Sequence, residues 1–255
     1  MIHTELFNYG FLAAASVNIG QKRTSNQDEV ILCHEAGFYA VSDGMGGLSD
    51  GGKTSGIIKQ ILPGMLQNLV PQCKENPQPE HIAALLEKQV QTISDTIYNT
   101  SNKGRRVTFG ATLSGVWLIG SHAVFVNLGD SRGYVLPRYK KNIRQITHDH
   151  NVAAILVQQG ELSKEEARSH PSSCSLTRFA GMPAPATPEA FICNVEPGDR
   201  ILLCSDGLYG MTGDEILPQL MRSSRNPERI CSRLIEQANA SGGNDNISVV
   251  YLKIT

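Results

Sequence analysis

The sequence predicts an α+β layered domain, and two observations carry that prediction. Apolar residues recur at strand spacing near the N terminus, across 108–147 and near the C terminus, with groups at helical spacing between them. These groups form runs of strands and runs of helices instead of a strict alternation, which argues against a doubly wound α/β chain. A chain of 255 residues that is 40% hydrophobic is long enough to fill one large core, so 1–255 reads as a single domain.

Residues 11–17, 29–34 and 37–42 read as short strands, the last stopped by Asp43-Gly44-Met45-Gly46-Gly47. Two helices follow. One covers 53–70 through Ile57, Ile58, Ile61, Leu62, Met65, Leu66 and Leu69, with a kink at Pro63; the other covers 80–99. From Thr108 to Thr147 short apolar runs separated by tight turns predict an antiparallel meander. After a short helix from Val152 to Gln158, the segment 151–188 is polar and irregular and ends in Met182-Pro183-Ala184-Pro185-Ala186-Thr187-Pro188. Its composition predicts a mobile excursion from the core. Residues 200–204 read as a buried strand, 213–222 and 226–238 as helices, and 247–252 as a closing strand.

With 23 basic and 24 acidic residues the formal charge is -1, which points to neither nucleic acid nor an anionic membrane as the main partner. No apolar stretch approaches the roughly 18 residues of a membrane span. The run Phe11 to Val17 lacks a basic residue before it and follows Glu5, unlike a secretory signal, so a soluble, cytoplasmic protein is expected. The six cysteines form no C-x-x-C pair and read as buried, reduced thiols instead of zinc ligands or disulfides.

The chemistry lies in four aspartates, each expected at a strand end beside a small or turn-forming residue: Asp43-Gly44, Gly129-Asp130-Ser131, Asp206-Gly207 and Asn244-Asp245-Asn246. Carboxylates gathered in one place repel, and burial without partners is costly, so bound cations are the usual resolution. Oxygen-only ligands favour Mg2+ or Mn2+ over zinc. The glycine after Asp43 makes the Gly44 carbonyl a further candidate ligand. A rival lies in Gly47-Leu48-Ser49-Asp50-Gly51-Gly52-Lys53-Thr54, which fits the phosphate-cradling string G-x-x-x-x-G-K-[ST]. A true P-loop follows its strand directly within alternating strand-helix units, whereas here Asp43 to Gly46 intervene and a meander follows, so nucleotide hydrolysis is set aside. Asn246-Ile247-Ser248 matches a glycosylation acceptor, but it opens an apolar strand in a chain without a convincing export signal.

Six strings in order resemble the motifs of the metal-dependent type 2C (PPM) protein phosphatases, bacterial type. They are Arg23-Thr24-Ser25-Asn26-Gln27-Asp28, Val41-Ser42-Asp43-Gly44-Met45-Gly46-Gly47, Gly110-Ala111-Thr112-Leu113, Asn127-Leu128-Gly129-Asp130-Ser131-Arg132, Leu203-Cys204-Ser205-Asp206-Gly207-Leu208 and Gly243-Asn244-Asp245-Asn246-Ile247-Ser248-Val249-Val250. The resemblance implies a central antiparallel β-sandwich flanked by helices and a protein serine/threonine phosphatase with two Mg2+ or Mn2+ ions that activate water. It implies that Asp43 bridges both ions, that the Gly44 carbonyl joins one, and that Asp206 and Asp245 hold the other. Asp28 looks like a ligand acting directly or through water, Arg23 like the group that grips phosphate, and Asp130 like the ligand of a third, weaker ion. Segment 151–188 resembles the family's flap. Phosphorylated protein substrates, a cognate kinase and a monomeric state are the expected partners and assembly.

One position departs from the pattern of some members, which carry a histidine where this chain has Met45. Methionine cannot donate the proton that the leaving alkoxide needs, so that acid stays unassigned. His148 and His150 read as ordinary surface or turn histidines. A catalytically silent relative that binds phosphoprotein is the remaining alternative, and the full aspartate set argues against it.

Overall fold

The computed structural model describes residues 1–46, 51–102 and 109–255. Strands β1 (Phe11–Asn18), β2 (Asp28–Cys33) and β3 (Phe38–Gly46) lead into helices α1 (Gly51–Gln67), α2 (Val70–Glu75) and α3 (Pro79–Ile97). Strands β4 (Phe109–Ala111), β5 (Leu113–Ile119), β6 (His122–Leu128), β7 (Arg132–Leu136) and β8 (Arg144–Gln145) follow, then α4 (Val152–Gln158) and α5 (Lys164–Ser169). The chain closes with β9 (Glu189–Asn194), β10 (Arg200–Cys204), α6 (Asp206–Thr212), α7 (Leu217–Met221), α8 (Pro227–Ala240) and β11 (Ile247–Ile254).

Two sheets stack face to face, one ordered β1-β11-β10-β7-β8 and the other β2-β3-β5-β6-β9, with β4 pairing against the outer part of β3. Ladders within both sheets are antiparallel. Central strands are covered on both faces, which explains why β11 and β5 read as continuous apolar runs instead of alternating ones. Val250, Leu252 and Ile254 of β11 pack with Phe11, Tyr39 and Val116 between the sheets, while Val249 and Tyr251 turn outward onto Leu234 and Ala238 of α8. On the far side Ile58, Leu62 and Leu66 of α1 and Leu86 and Val90 of α3 cover Phe38 and Trp117. The order is helix, sheet, sheet, helix, as the sequence resemblance implies.

Several expectations need correction. The stretch 108–147 is not one meander, because the chain leaves the β5-β6 sheet at Gly129-Asp130-Ser131 and enters the other sheet as β7. Strand β3 does not stop at Asp43, because Gly44, Met45 and Gly46 pair with Ala111, Gly110 and Phe109 of β4. The helix expected over 53–70 splits at Asn68 and Leu69, and Asp206 opens a helix of its own before the one expected at 213–222.

The excursion 151–188 is only half an excursion. Helix α5 carries a capping box between Ser163 and Glu166, a start signal passed over in the polar composition. Farther on, Ala180 exchanges backbone hydrogen bonds with Ala111, the Gly181 amide donates to Ser94 Oγ at 3.1 Å, and Ala180 and Ala186 are buried in the helix-side core. Small residues fit where larger apolar ones would be needed to announce a core segment.

The described cysteines are free thiols, buried except for Cys174, which is exposed after α5. Among the described residues no helix is long and apolar enough to cross a membrane.

Candidate metal centre

The sandwich brings the expected aspartates together from both sheets. Asp28 and Asp43 face one another as ladder partners in β2 and β3, while Asp206 follows β10, Asp245 precedes β11 and Asp130 precedes β7. Asp43 lies at the centre of the group, since Asp28, Asp206, Asp130 and Asp245 all act on it electrostatically. Burial first, and then these neighbouring charges, pushes its carboxyl well above the usual range. Burial likewise raises Asp28 to about 7, with Asp206 adding to the shift, and raises Asp206 to about 6, with Asp245 adding to it. Asp130 is raised well above its ordinary value by burial and by Asp206.

The residues fit a divalent cation by the chemistry of their unused oxygens. Oδ1 of Asp28 and Oδ1 of Asp206 are buried without a hydrogen-bond partner. An orphaned carboxylate oxygen is costly unless a cation or water meets it. Among the described residues, no three His, Cys, Asp or Glu side chains form a set that could hold one ion unaided. Hard cations of the Mg2+ type use one or two carboxylates and keep several waters.

The supporting hydrogen bonds are more informative than the motifs suggest. Thr112 Oγ1 accepts from the Asp43 amide at 3.0 Å and lies 2.7 Å from Ser131 Oγ. Ser205 Oγ donates to Asp28 Oδ2 at 2.7 Å and accepts from the Ser248 amide at 2.9 Å, joining the two sheets behind the carboxylates. Asn246 Oδ1 accepts from the Gln27 amide at 2.9 Å, while its Nδ2 donates to the carbonyls of Ile19 and Ser25, pinning the Arg23 loop to β11. A hydroxyl or amide within a motif signals none of these partners, so sequence reasoning missed the roles of Thr112, Ser205 and Asn246.

Two glycines are fixed by close approach. A Cβ on Gly207 would lie 1.9 Å from the Asn246 carbonyl oxygen, so only glycine lets the start of α6 pass beneath Asp245-Asn246. Gly129 has φ +113° and a Cβ there would meet Thr112 at 2.6 Å. Gly44 is buried in β3 with its amide donating to the Gln27 carbonyl at 3.1 Å.

Arg23 is exposed at the mouth, where Nη2 donates to Asp245 Oδ2 at 2.7 Å. The guanidinium keeps other N–H donors in its planar fork. Met45 is half-buried in β3. His150 is no surface histidine: it is buried, its Nδ1 accepts from the Gly129 amide at 3.1 Å, and its Nε2 sits 3.5 Å from Glu189 Oε2. Nδ1 thus braces the Gly129-Asp130 turn, and Nε2 is buried without a hydrogen-bond partner beside Glu189, which makes His150 a poor candidate for the leaving-group acid. His148 is exposed, as expected. Of the P-loop string, Gly47 to Asp50 lie outside the described residues, and Thr54 is buried in the first turns of α1. The strand before it belongs to an antiparallel ladder, which removes the context that a P-loop needs.

The family model of protein phosphatase 2C matches residues 20–248 of the chain. The chain belongs to the protein phosphatase 2C family. As a member it is a protein phosphatase, and its relatives agree. It is 31% identical over 214 residues to the serine/threonine phosphatase stp of Listeria monocytogenes serotype 4b, covering 84% of this chain and 82% of that one. Among solved structures, the serine/threonine phosphatase of S. agalactiae superposes with a TM-score of 0.80 at 26% identity, over 96% of this phosphatase and 100% of the other. The catalytic domain of the phosphatase PstP, solved in complex with 2 manganese ions, superposes with a TM-score of 0.76 at 27% identity, over 96% and 98% of the two chains. This phosphatase thus belongs to a metal-dependent family whose fold it shares.

Proposed function

We propose that the phosphatase removes phosphate from serine and threonine side chains of phosphorylated proteins at a centre for two Mg2+ or Mn2+ ions. The reading rests on one observation, the convergence of Asp28, Asp43, Asp206 and Asp245 with two buried carboxylate oxygens left unpartnered. In this proposal Asp43, the Gly44 carbonyl, Asp206 and Asp245 would hold the two ions. Asp28 would act directly or through water, and Asp130 with Asp206 would hold a third, weaker ion. When bound, such ions supply Lewis acidity toward phosphoryl oxygens and make a water molecule nucleophilic near neutral pH.

The chain's own residues do the positioning. Thr112 and Ser205 hold the Asp43 backbone and the Asp28 carboxylate so that oxygen lone pairs converge with little reorganisation. Arg23, tethered near Asp245, offers its free N–H groups to the substrate's phosphate, a pairing that suits a planar and permanently charged fork. No side chain needs to be modified covalently. Residues 1–255 act as one catalytic domain with the flap at 151–188 beside the site, and the working form is a cytoplasmic monomer opposed to a cognate kinase.

Hydrolysis of para-nitrophenyl phosphate and of a phosphothreonine peptide, each with Mn2+, with Mg2+ and with chelator, tests the proposal. Turnover of both substrates that chelator abolishes is expected. Binding of the phosphopeptide without hydrolysis under any metal would instead support a silent binding module.

A further inference from the structure

The sheet that carries Asp206 and Asp245 at one end carries a basic cleft at the other. Arg200 opens β10 and is the direct ladder partner of Lys253 in β11 and of Leu136 in β7. The alternation that turns Leu202, Cys204 and Tyr251 toward the helix layer turns Arg200 and Lys253 to the same face. Arg222, just past α7, and Arg138, just past β7, join them around a cavity of about 460 Å³ floored by Gly198. Like charges set directly opposite across a ladder destabilise it. Burial and the Arg200 charge together hold the Arg222 guanidinium below its ordinary range.

No ion pair among the described residues neutralises this group, although Asp199 adjoins Arg200 and Thr255 lines the same cleft. Among the described residues none of the four cations forms an ion pair. Asp199 accepts the amides of Arg138 and Glu196, at 2.8 and 3.1 Å, and makes no ion pair with the group. Asp214 and Glu215 border an adjoining cleft that shares Arg138 and Arg222, and Arg168 engages both. The heads are nevertheless fixed: Arg222 Nη2 donates to the carbonyls of Pro137, Arg138 and Lys140, and Arg200 Nη1 donates to Gly198 O at 3.0 Å. Arg200 Nε is buried with no hydrogen-bond partner, although the Tyr251 hydroxyl lies close to the Arg200 side chain. A buried charged donor without a partner is costly, and here it stands beside two further cations.

We propose that this cleft binds a phosphate-bearing anion, recognised by Arg200, Arg222 and Lys253 and separate from the metal centre. Guanidinium forks match the oxygens of a phosphate dianion, and a dianion offsets clustered cations better than a single carboxylate. The anion is either free phosphate or a phosphoryl group on a protein segment. From Arg200 to Asp206 the strand spacing gives roughly 20 Å, so a phosphate held here is not the one being hydrolysed.

The test is NMR of the Mg2+-loaded full chain, following the amides of Gly198 and Arg222. Inorganic phosphate, a phosphoserine peptide and sodium chloride of matched ionic strength are added separately. Saturable shifts with phosphate are expected, weakened about tenfold or more in Arg200→Gln and in Lys253→Gln, as for loss of a charge-assisted hydrogen bond. Hydrolysis of para-nitrophenyl phosphate should stay at the parent rate in both variants. Tighter binding of the peptide through the same residues would identify a protein segment as the source, and equal or weaker binding would identify the free anion. Shifts confined to Gly44 and Gly207, shifts that chloride reproduces, or parent affinity in both variants would overturn the proposal. Lys253 is half-buried at the sheet surface, so its variant carries the test alone if Arg200→Gln fails to fold.

Discussion

At the scale of single residues the proposed centre divides into groups that would meet the ions or substrate and groups that hold those in place, and kinetics separates the two. Asp206→Ala should lower turnover by about two orders of magnitude or more even at saturating Mn2+, because it removes oxygens the ions need. Arg23→Ala should raise KM and leave metal affinity close to that of the parent. Near-parent rates for the first, or unchanged kinetics for the second, would remove the residue from its role. Thr112→Val keeps the volume but leaves the Asp43 amide without its acceptor. Metal affinity measured calorimetrically should fall about 10- to 100-fold, the usual cost of losing an outer hydrogen bond to a ligand. A parent-like affinity would reduce Thr112 to packing. Asp130→Ala should leave two ions tightly held while slowing hydrolysis and shifting its dependence on millimolar metal, and an unchanged rate with unchanged weak binding would make Asp130 a turn residue only.

At the scale of elements the segment proposed as a flap is an outer lobe, α4 to Cys174, on an inner half that belongs to the core. Arg168 of α5 reaches Asp214 at 3.4 Å and Glu215 at 2.9 Å, tying the lobe to the turn after α6. Arg168→Ala should change kcat/KM on a phosphopeptide more than on para-nitrophenyl phosphate, because a lobe beside the cleft meets the peptide and not the small ester. Equal losses on both substrates would assign Arg168 to structure. The same elements show what a sequence can convey. Strands such as β5 and β11 were legible because burial on both faces leaves an apolar run, and the aspartates were legible because each sits beside a residue that permits a tight turn. Helix α6 was hidden by Asp206-Gly207, which reads as a turn until the Asn246 carbonyl explains the glycine. The inner half of the flap was hidden because Ala180 and Ala186 bury little surface each and anchor through backbone hydrogen bonds. Roles resting on contacts between distant segments, Ser205 to Asp28 or Asn246 to Ile19, leave no local pattern to read.

At the scale of the whole molecule the aspartate cluster makes stability depend on pH and metal. With Asp28 raised to about 7 and Asp206 to about 6, the metal-free folded chain binds protons more readily than the unfolded one. Their contribution is therefore fully present below the unfolded carboxylate value of about 4 and is lost as pH rises through 6 to 7. His150, held below its usual range by burial, contributes the opposite slope. Comparison with Asp28→Asn isolates the carboxylates: between pH 5 and 8 in chelator, the parent should lose more of its resistance to urea than the variant. Added Mg2+ should restore the parent at pH 8, and equal slopes in the two proteins would refute the account. A last consequence follows from the proposed ligands coming from both sheets, Asp28 and Asp43 from one and Asp130, Asp206 and Asp245 from the other. Mechanically the sandwich is two plates pinned along one edge, and stripping the pin should let that edge breathe first, with amide exchange quickening at Asp43 and Ser205 before it reaches Trp117.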